Sequence, residues 1–479
     1  MGRRRRGGIP GHRVPPWFED AKLGIFIHWG VFSVPAWAPV LPPGKTMPDV
    51  VRETPADLGA RLPYAEWYDN ARRIPGSPTA RHHADTYGDA PYGDFRTEFE
   101  AGLDGWDPDA WADAFARAGA GYVVLVTKHH DGYCLWPTEV GNPHAPGWNC
   151  PRDLVGELAT AVRARGLRFG TYYSVGLDWT WDPTPIAEPL DMLAAIPRDP
   201  GYVAYVDAHL RELVDRYRPS VVWSDIGAPR GFDLRAFLTH YYERVPDGTT
   251  NDRWSPPPPV IDRPQVRRVL NRAVAAALPR LPEQTVQAAP LALADFTTPE
   301  YASPPQARTG KWETTRGMGT AFGLNRAEPD DRLVDPDELV RGLVDAVSKN
   351  GNLLLNVGPD AGGRILDREA VRLDALGEWI GRAGDALVGT RPWVRAEGTT
   401  AEGVDVRFTQ GGGSVFAVLL RVPDPGATVT IPGLAPLAAR PAELLGHGPV
   451  PVEAVGDDLR LTWPDAAVGT SAAALRLGP

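Results

Sequence analysis

The sequence predicts an α/β fold, a (β/α) barrel or a doubly wound parallel sheet, with a small all-β module behind it. Three observations carry this. Short apolar runs alternate with amphipathic stretches from residue 24 to residue 357, the rhythm of βα units. Those runs are continuously apolar, as strands buried on both faces are. From about Asp385 onward, short runs are split by Gly, Pro and Asp, the pattern of an antiparallel module.

In order, Arg3–Arg6 is a basic run with no apolar stretch before Pro15 and Pro16. It reads as a disordered tail over 1–14 and not as an export signal, so a cytoplasmic location is expected. The first strand covers 24–27 and closes in His28 and Trp29. Residues 31–63 are Pro-rich and read as a long irregular loop of the kind that shapes a pocket. Glu66 and Trp67 then open a short helical piece. A helix over 108–118, stopped by Gly119, leads to a strand over 122–127 that ends in Lys128, His129, His130 and Asp131. A helix over 154–165 leads to a strand over 167–174 bearing Tyr172 and Tyr173. A helix over 203–217 leads to Val221, Val222 and Trp223, where the apolar run stops abruptly at Ser224 and Asp225.

After a helix over 233–245 come Asn251, Asp252, Arg253 and Trp254, and then the rhythm breaks over 255–294. Four consecutive prolines, Pro256 to Pro259, and a basic, Ala-rich helical patch over 266–278 mark an inserted excursion, read as a lid. The pattern resumes with 295–301, Lys311 to Thr315, a helix over 335–350, a last strand over 352–357 and a helix over 367–380. The module behind shows apolar runs at 404–408, 415–420, 427–431 and 459–463. The expected organisation is a barrel domain over 15–384 and a β-sandwich over 385–479.

Fifty Lys and Arg against 60 Asp and Glu give a net charge of -10, which argues against nucleic acid as a partner. No run approaches the ~20 apolar residues of a membrane span. Cys134 and Cys150 are too few for a disulfide framework or a Cys-based zinc site. Sixteen Trp are many, and aromatic faces suit stacking on sugars. No Gly-x-Gly-x-x-Gly follows a strand, so a dinucleotide site is unsupported.

The chemistry gathers where apolar runs end, since barrel sites form on the rim beyond the strand C-termini. A lone post-strand Asp commonly caps the next helix, but here His28, Glu66, His129, His130, Tyr172 or Tyr173, Asp225, Arg253 and Glu300 share the same kind of position. Carboxylates among neutral donors and aromatics fit polyol recognition with two-carboxylate glycoside hydrolysis. Retention needs the carboxyl groups ~5–5.5 Å apart and inversion ~6.5–9.5 Å. Adjacent histidines invite a metal reading. Neighbours along a strand face opposite ways, however, and no His-x-His or His-x₃-His set appears. Alternation also lets only one of the two tyrosines face the pocket, and Tyr172 is chosen.

Eight blocks in order, LGIFIHWGVFSVPAW, AEWY, YVVLVTKHHDGYCLW, GTYYSVGLDW, VVWSDIG, NDRW, DFTTPEY and NLLLNVGP, resemble the α-L-fucosidases of glycoside hydrolase family 29. The resemblance spans roughly 17–393. It implies an irregular (β/α)8-like, TIM-type barrel followed by a small C-terminal β-sandwich. It also implies exo-acting, retaining hydrolysis of terminal α-L-fucosyl groups, with no metal or organic cofactor. Asp225 matches the family's nucleophile and Glu300 its acid/base. His28, Glu66, Trp67, His129, His130, Tyr172 and Arg253 match positions that hold the fucose hydroxyls and ring. For the fucose methyl an apolar niche is expected, from Phe32, Trp67, Trp223 or Trp312.

The acid/base must be protonated at working pH, so burial or a negative neighbour is expected at Glu300. The 255–294 excursion is longer than the family pattern, and if it shifts the register then Glu283, Asp295 or Glu313 would serve as the acid. The expected partner is a fucosylated oligosaccharide or glycoconjugate, with no membrane and with homo-oligomerisation left open. A catalytically silent sugar-binding protein, a galactosidase, and a metal-dependent hydrolase using His28, His129 and His130 are the rival readings.

Overall fold

The apolar runs become the strands of one parallel sheet: β1 (Leu23–Ile27), β2 (Tyr122–Lys128), β3 (Arg168–Ser174), β4 (Val221–Asp225), β5 (Thr249–Thr250), β6 (Trp312–Gly317) and β7 (Gly351–Val357). The structure is a computed structural model and describes residues 9, 12–45, 47–277, 293–465 and 471–479. Strand order is β5-β4-β3-β2-β1-β7-β6. The two edges, β5 and β6, are joined by residues 295–301. Asp295 N–H donates to the Thr250 carbonyl (3.0 Å), Glu313 N–H to Thr297 (2.8 Å) and Tyr301 N–H to Thr315 (2.9 Å). This segment fills the eighth place and closes a TIM-type barrel. Pro299 has no N–H for the ladder, which is why the eighth place holds a bridge-linked segment and the barrel is irregular.

Side chains alternate along each strand and so build two layers. Phe26, Tyr122, Val124, Tyr172, Trp223 and Phe296 pack inside the barrel. Ile25, Val123, Leu125, Phe169, Tyr173 and Val222 face the helices outside. Those helices are α1 (Pro108–Arg117), α2 (Leu154–Ala164), α3 (Pro200–Tyr217), α4 (Leu234–Arg244), α6 (Pro336–Ser348) and α7 (Asp367–Ala383), while α5 (Pro264–Ala277) lies off the sheet. Asp107, Asp153, Asp199, Asp233 and Asp335 cap five of them by accepting first-turn backbone N–H groups, contacts of about 1 kcal/mol each.

Behind the barrel lie two antiparallel sheets of six and three strands, which form the β-sandwich. Along its Ser414–Leu419 strand, Val415, Ala417 and Leu419 enter the sandwich core, whereas Phe416 and Val418 join the helical layer of the barrel. Trp379 of α7 donates its indole N–H to the Ala472 carbonyl (2.9 Å), and Arg407 pairs with Asp345 of α6 (2.6 Å). Cys134 and Cys150 are buried and free.

Two expectations change. Residues 31–63 carry short helices, Val31–Ser33, Met47–Glu53, Pro55–Asp57 and Leu58–Arg61, where prolines break the chain into brief turns without leaving it a loop. The 255–294 excursion is helical over α5 and docked on the barrel rim; its 278–292 portion, like Arg3–Arg6 and Glu283, lies outside the described residues. No described helix is long and apolar enough to cross a membrane.

Candidate active site

At the end of β4 the Asp225 carboxylate is held from two sides. The Tyr172 hydroxyl donates to Oδ2 (2.9 Å) and the Arg253 guanidinium to Oδ1 (3.0 Å), while His130 Nε2 stands 4.0 Å from Oδ2. Asp225 caps no helix, because Asp233 caps α4. Tyr173 points outward and donates to His209 (2.9 Å), so alternation along β3 selects Tyr172 for the pocket.

Arg253 reaches further. Its second terminal nitrogen lies 2.6 Å from Glu300, and Thr298 fixes the group through its hydroxyl (3.0 Å) and carbonyl (3.1 Å). The same guanidinium lies 4.8 Å over the Trp223 ring. Burial pushes Arg253 down in pKa, but the Glu300 and Asp225 charges outweigh it and hold the guanidinium above its ordinary value. One cation therefore touches both carboxylates. Glu300 is not buried as expected: its side chain is 35% exposed.

His28 and His130 are neutral acceptors. Asn356 donates to the Phe322 carbonyl (2.5 Å), so its oxygen accepts from His28 Nδ1 (2.6 Å) and Nε2 keeps its lone pair. Ser174 donates to the Leu177 carbonyl (2.7 Å) and accepts from His130 Nδ1 (2.7 Å), which frees Nε2 in the same way. Burial pulls His28 down to about 4 and His130 to about 3, and it lowers His129 as well. The strand-alternation argument for His129 and His130 fails, because β2 ends at Lys128. Their rings lie 3.9 Å apart, with His129 stacked near-parallel to Tyr172 at 5.9 Å. Among the described residues no group of three or more His, Cys, Asp or Glu is gathered as metal ligands.

Glu66 is buried and accepts the backbone N–H groups of Gly323 (2.8 Å) and Phe322 (3.4 Å); burial raises it to about 7. Trp67 meets His130 edge-on at 5.2 Å, Phe32 meets His129 at 5.4 Å, and Phe322 lies 5.0 Å from His28. Trp312 leaves the set of niche candidates, since it faces outward and donates to the Lys349 carbonyl (2.9 Å). Two substitute acids are already engaged. Asp295 accepts from Thr250 N–H (2.9 Å) and Tyr242 (2.8 Å) at the start of β5. Glu313 lies beneath Trp223, accepts its indole N–H (3.1 Å) and the Tyr122 hydroxyl, and is raised by burial to about 7.

The sequence reading missed Asn356, Ser174, Thr298 and the Phe322–Gly323 turn. Asn356 is the polar residue near the end of an apolar run, the same signal that marked Asp225. The turn follows β6 in a Gly-rich stretch, where a rim loop belongs.

A family model described as Alpha-L-fucosidase matches residues 9–385. The chain belongs to the α-L-fucosidase family. It is 31% identical to human tissue α-L-fucosidase over 86% of this chain and 77% of that one. With human plasma α-L-fucosidase it shares 30% identity over 92% and 83%. The Thermotoga maritima α-fucosidase structure in complex with fucose superimposes with a TM-score of 0.80 at 38% identity, covering 98% of both chains. This family member is an enzyme, a glycoside hydrolase. The cytoplasmic expectation does not stand: the relatives include tissue and plasma α-L-fucosidases.

Proposed function

We propose that the protein is an exo-acting, retaining α-L-fucosidase that removes terminal α-L-fucosyl groups from oligosaccharides or glycoconjugates. Asp225 attacks the anomeric carbon, and Glu300 protonates the departing oxygen and then deprotonates the water that releases fucose. The observation that carries this reading is the Arg253 bridge, in which one guanidinium contacts both carboxylates at 3.0 and 2.6 Å. Carboxylates within reach of a single guanidinium suit the short spacing of retention better than the wider spacing of inversion. In this reading residues 15–384 carry the chemistry and residues 385–479 brace the helices behind it.

The other side chains follow by chemistry. His28 and His130, neutral with free Nε2 lone pairs, accept sugar hydroxyls, and Glu66 accepts another. Tyr172 and Arg253 keep Asp225 anionic and aimed. Trp67 and Trp223 supply aromatic surface against the sugar ring, and Phe32 and Phe322 receive the methyl that replaces the 6-hydroxymethyl of L-galactose.

A panel of aryl glycosides tests the substrate. The α-L-fucoside should be hydrolysed with the highest kcat/KM, roughly 100-fold above the α-L-galactoside, the usual limit for an apolar niche rejecting one added hydroxyl. A galactoside turned over equally well would contradict the assignment.

A further inference from the structure

The 255–277 segment has both a defined place and a defined attachment. The excursion leaves the barrel directly after Arg253 and Trp254 and returns at 295–301, which carries Glu300, so the Arg253–Glu300 ion pair joins its two roots. Its first residues lie against the loop behind Asp225. Gly227, at φ +89°, packs on the Ser255 carbonyl so closely that a Cβ would collide with it, and Arg230 donates to the Pro257 carbonyl (3.0 Å). Asp262 then receives Arg230 (2.5 Å) and Arg198 (3.0 Å).

Helix α5 is fastened to the short helix Pro189–Ala194 in the loop after β3. The buried Asn271 donates to Glu188 (2.6 Å) and accepts the Leu190 N–H (3.0 Å), and Arg267 pairs with Asp191 (3.1 Å). That loop is in turn clamped to the segment bearing Glu66 and Trp67. Asn70 exchanges hydrogen bonds with the backbone of Ile186 (3.1 and 2.8 Å), and Gly59 N–H donates to the Ala187 carbonyl (2.9 Å). Met192 and Leu193 pack in the same apolar cluster as Trp67, Tyr64 and Ile226. The exposed ion pairs are each worth at most ~1 kcal/mol. Asn271 contributes more, because its own amide is buried and both of its polar atoms find partners across the joint.

We infer that residues 255–277 form the outer wall of the leaving-group side and set the size of the aglycone the enzyme accepts. This rests on the role of Glu300 proposed above, since the leaving oxygen must face the acid whose segment the excursion adjoins. A single aromatic ring needs room for itself alone beyond that oxygen. An oligosaccharide must extend outward past Glu300, into the space that the docked segment borders.

The test compares kcat/KM for an aryl α-L-fucoside and for an α-L-fucosyl lactose in three proteins. They are the parent, a variant with the joint cut (Asn271→Ala with Asp262→Ala), and one with 256–292 replaced by a short Gly-Ser linker. The aryl fucoside should change less than about threefold in a folded variant, while the oligosaccharide gains at least tenfold. If the linker protein does not fold, the joint variant carries the comparison alone. Parallel changes on both substrates, or none, would overturn the wall. A parent inactive on every α-L-fucoside would instead overturn the activity reading on which the wall depends.

Discussion

Asp225→Gly is expected to lower kcat on an aryl α-L-fucoside on the order of 10⁴-fold, with the fold retained. The carboxylate is the only part of the residue held by Tyr172 and Arg253, and its backbone stays in β4. In the proposed mechanism, removing it leaves a small space on the face from which the anomeric carbon is attacked. Azide fits there as an external nucleophile. It should restore part of the rate and yield β-L-fucosyl azide, since attack from that side on an α-fucoside inverts the centre once. A variant of undiminished rate, or an α-configured azide, would remove Asp225 from the nucleophile's place. Circular dichroism alongside the kinetics separates chemistry from unfolding.

Glu300→Ala should behave differently, and the contrast between the two variants is diagnostic. General acid assistance is worth ~10²–10⁴-fold and matters most when the departing oxygen is basic. Hydrolysis of an oligosaccharide fucoside should therefore fall by about that range, while a dinitrophenyl fucoside loses little in its first step. Azide then intercepts the fucosyl-enzyme from the opposite face and gives α-L-fucosyl azide. Equal losses on both substrates would count against Glu300 as the acid. Glu300 is paired with Arg253, so in the proposed mechanism that contact must loosen for Glu300 to reach the glycosidic oxygen.

The parts of this molecule that sequence displays are those whose signal is local. β1, β2, β3, β4 and β7 are buried on both faces, so their continuous apolar runs mark them, and the polar residue that ends each run marks the rim. β5 has only two residues and carries no period to detect, whereas the eighth position, interrupted by Pro299, is legible only as the resumption of the rhythm at 295–301. The helices over Pro78–Tyr87 and Phe95–Gly102 escaped because His-rich and acidic faces blur their apolar stripes.

The site divides in the same way. Asp225, His28 and Arg253 stand at run ends and are legible. The groups that aim the histidines are not, because the contacts are non-local: Asn356 meets His28 across 328 positions, and Ser174 meets His130 across 44. The exposure of Glu300 also escaped. Its environment is set by Arg253, which comes from the other root of an excursion whose docking depends on residues 188–198.

The most direct test of the two-carboxylate account is the configuration of the first-formed product, followed by time-resolved proton NMR during hydrolysis of an aryl α-L-fucoside. Double displacement through Asp225 predicts that α-L-fucose appears first and then mutarotates toward the equilibrium mixture. Initial release of β-L-fucose would show a single displacement by water and contradict the account.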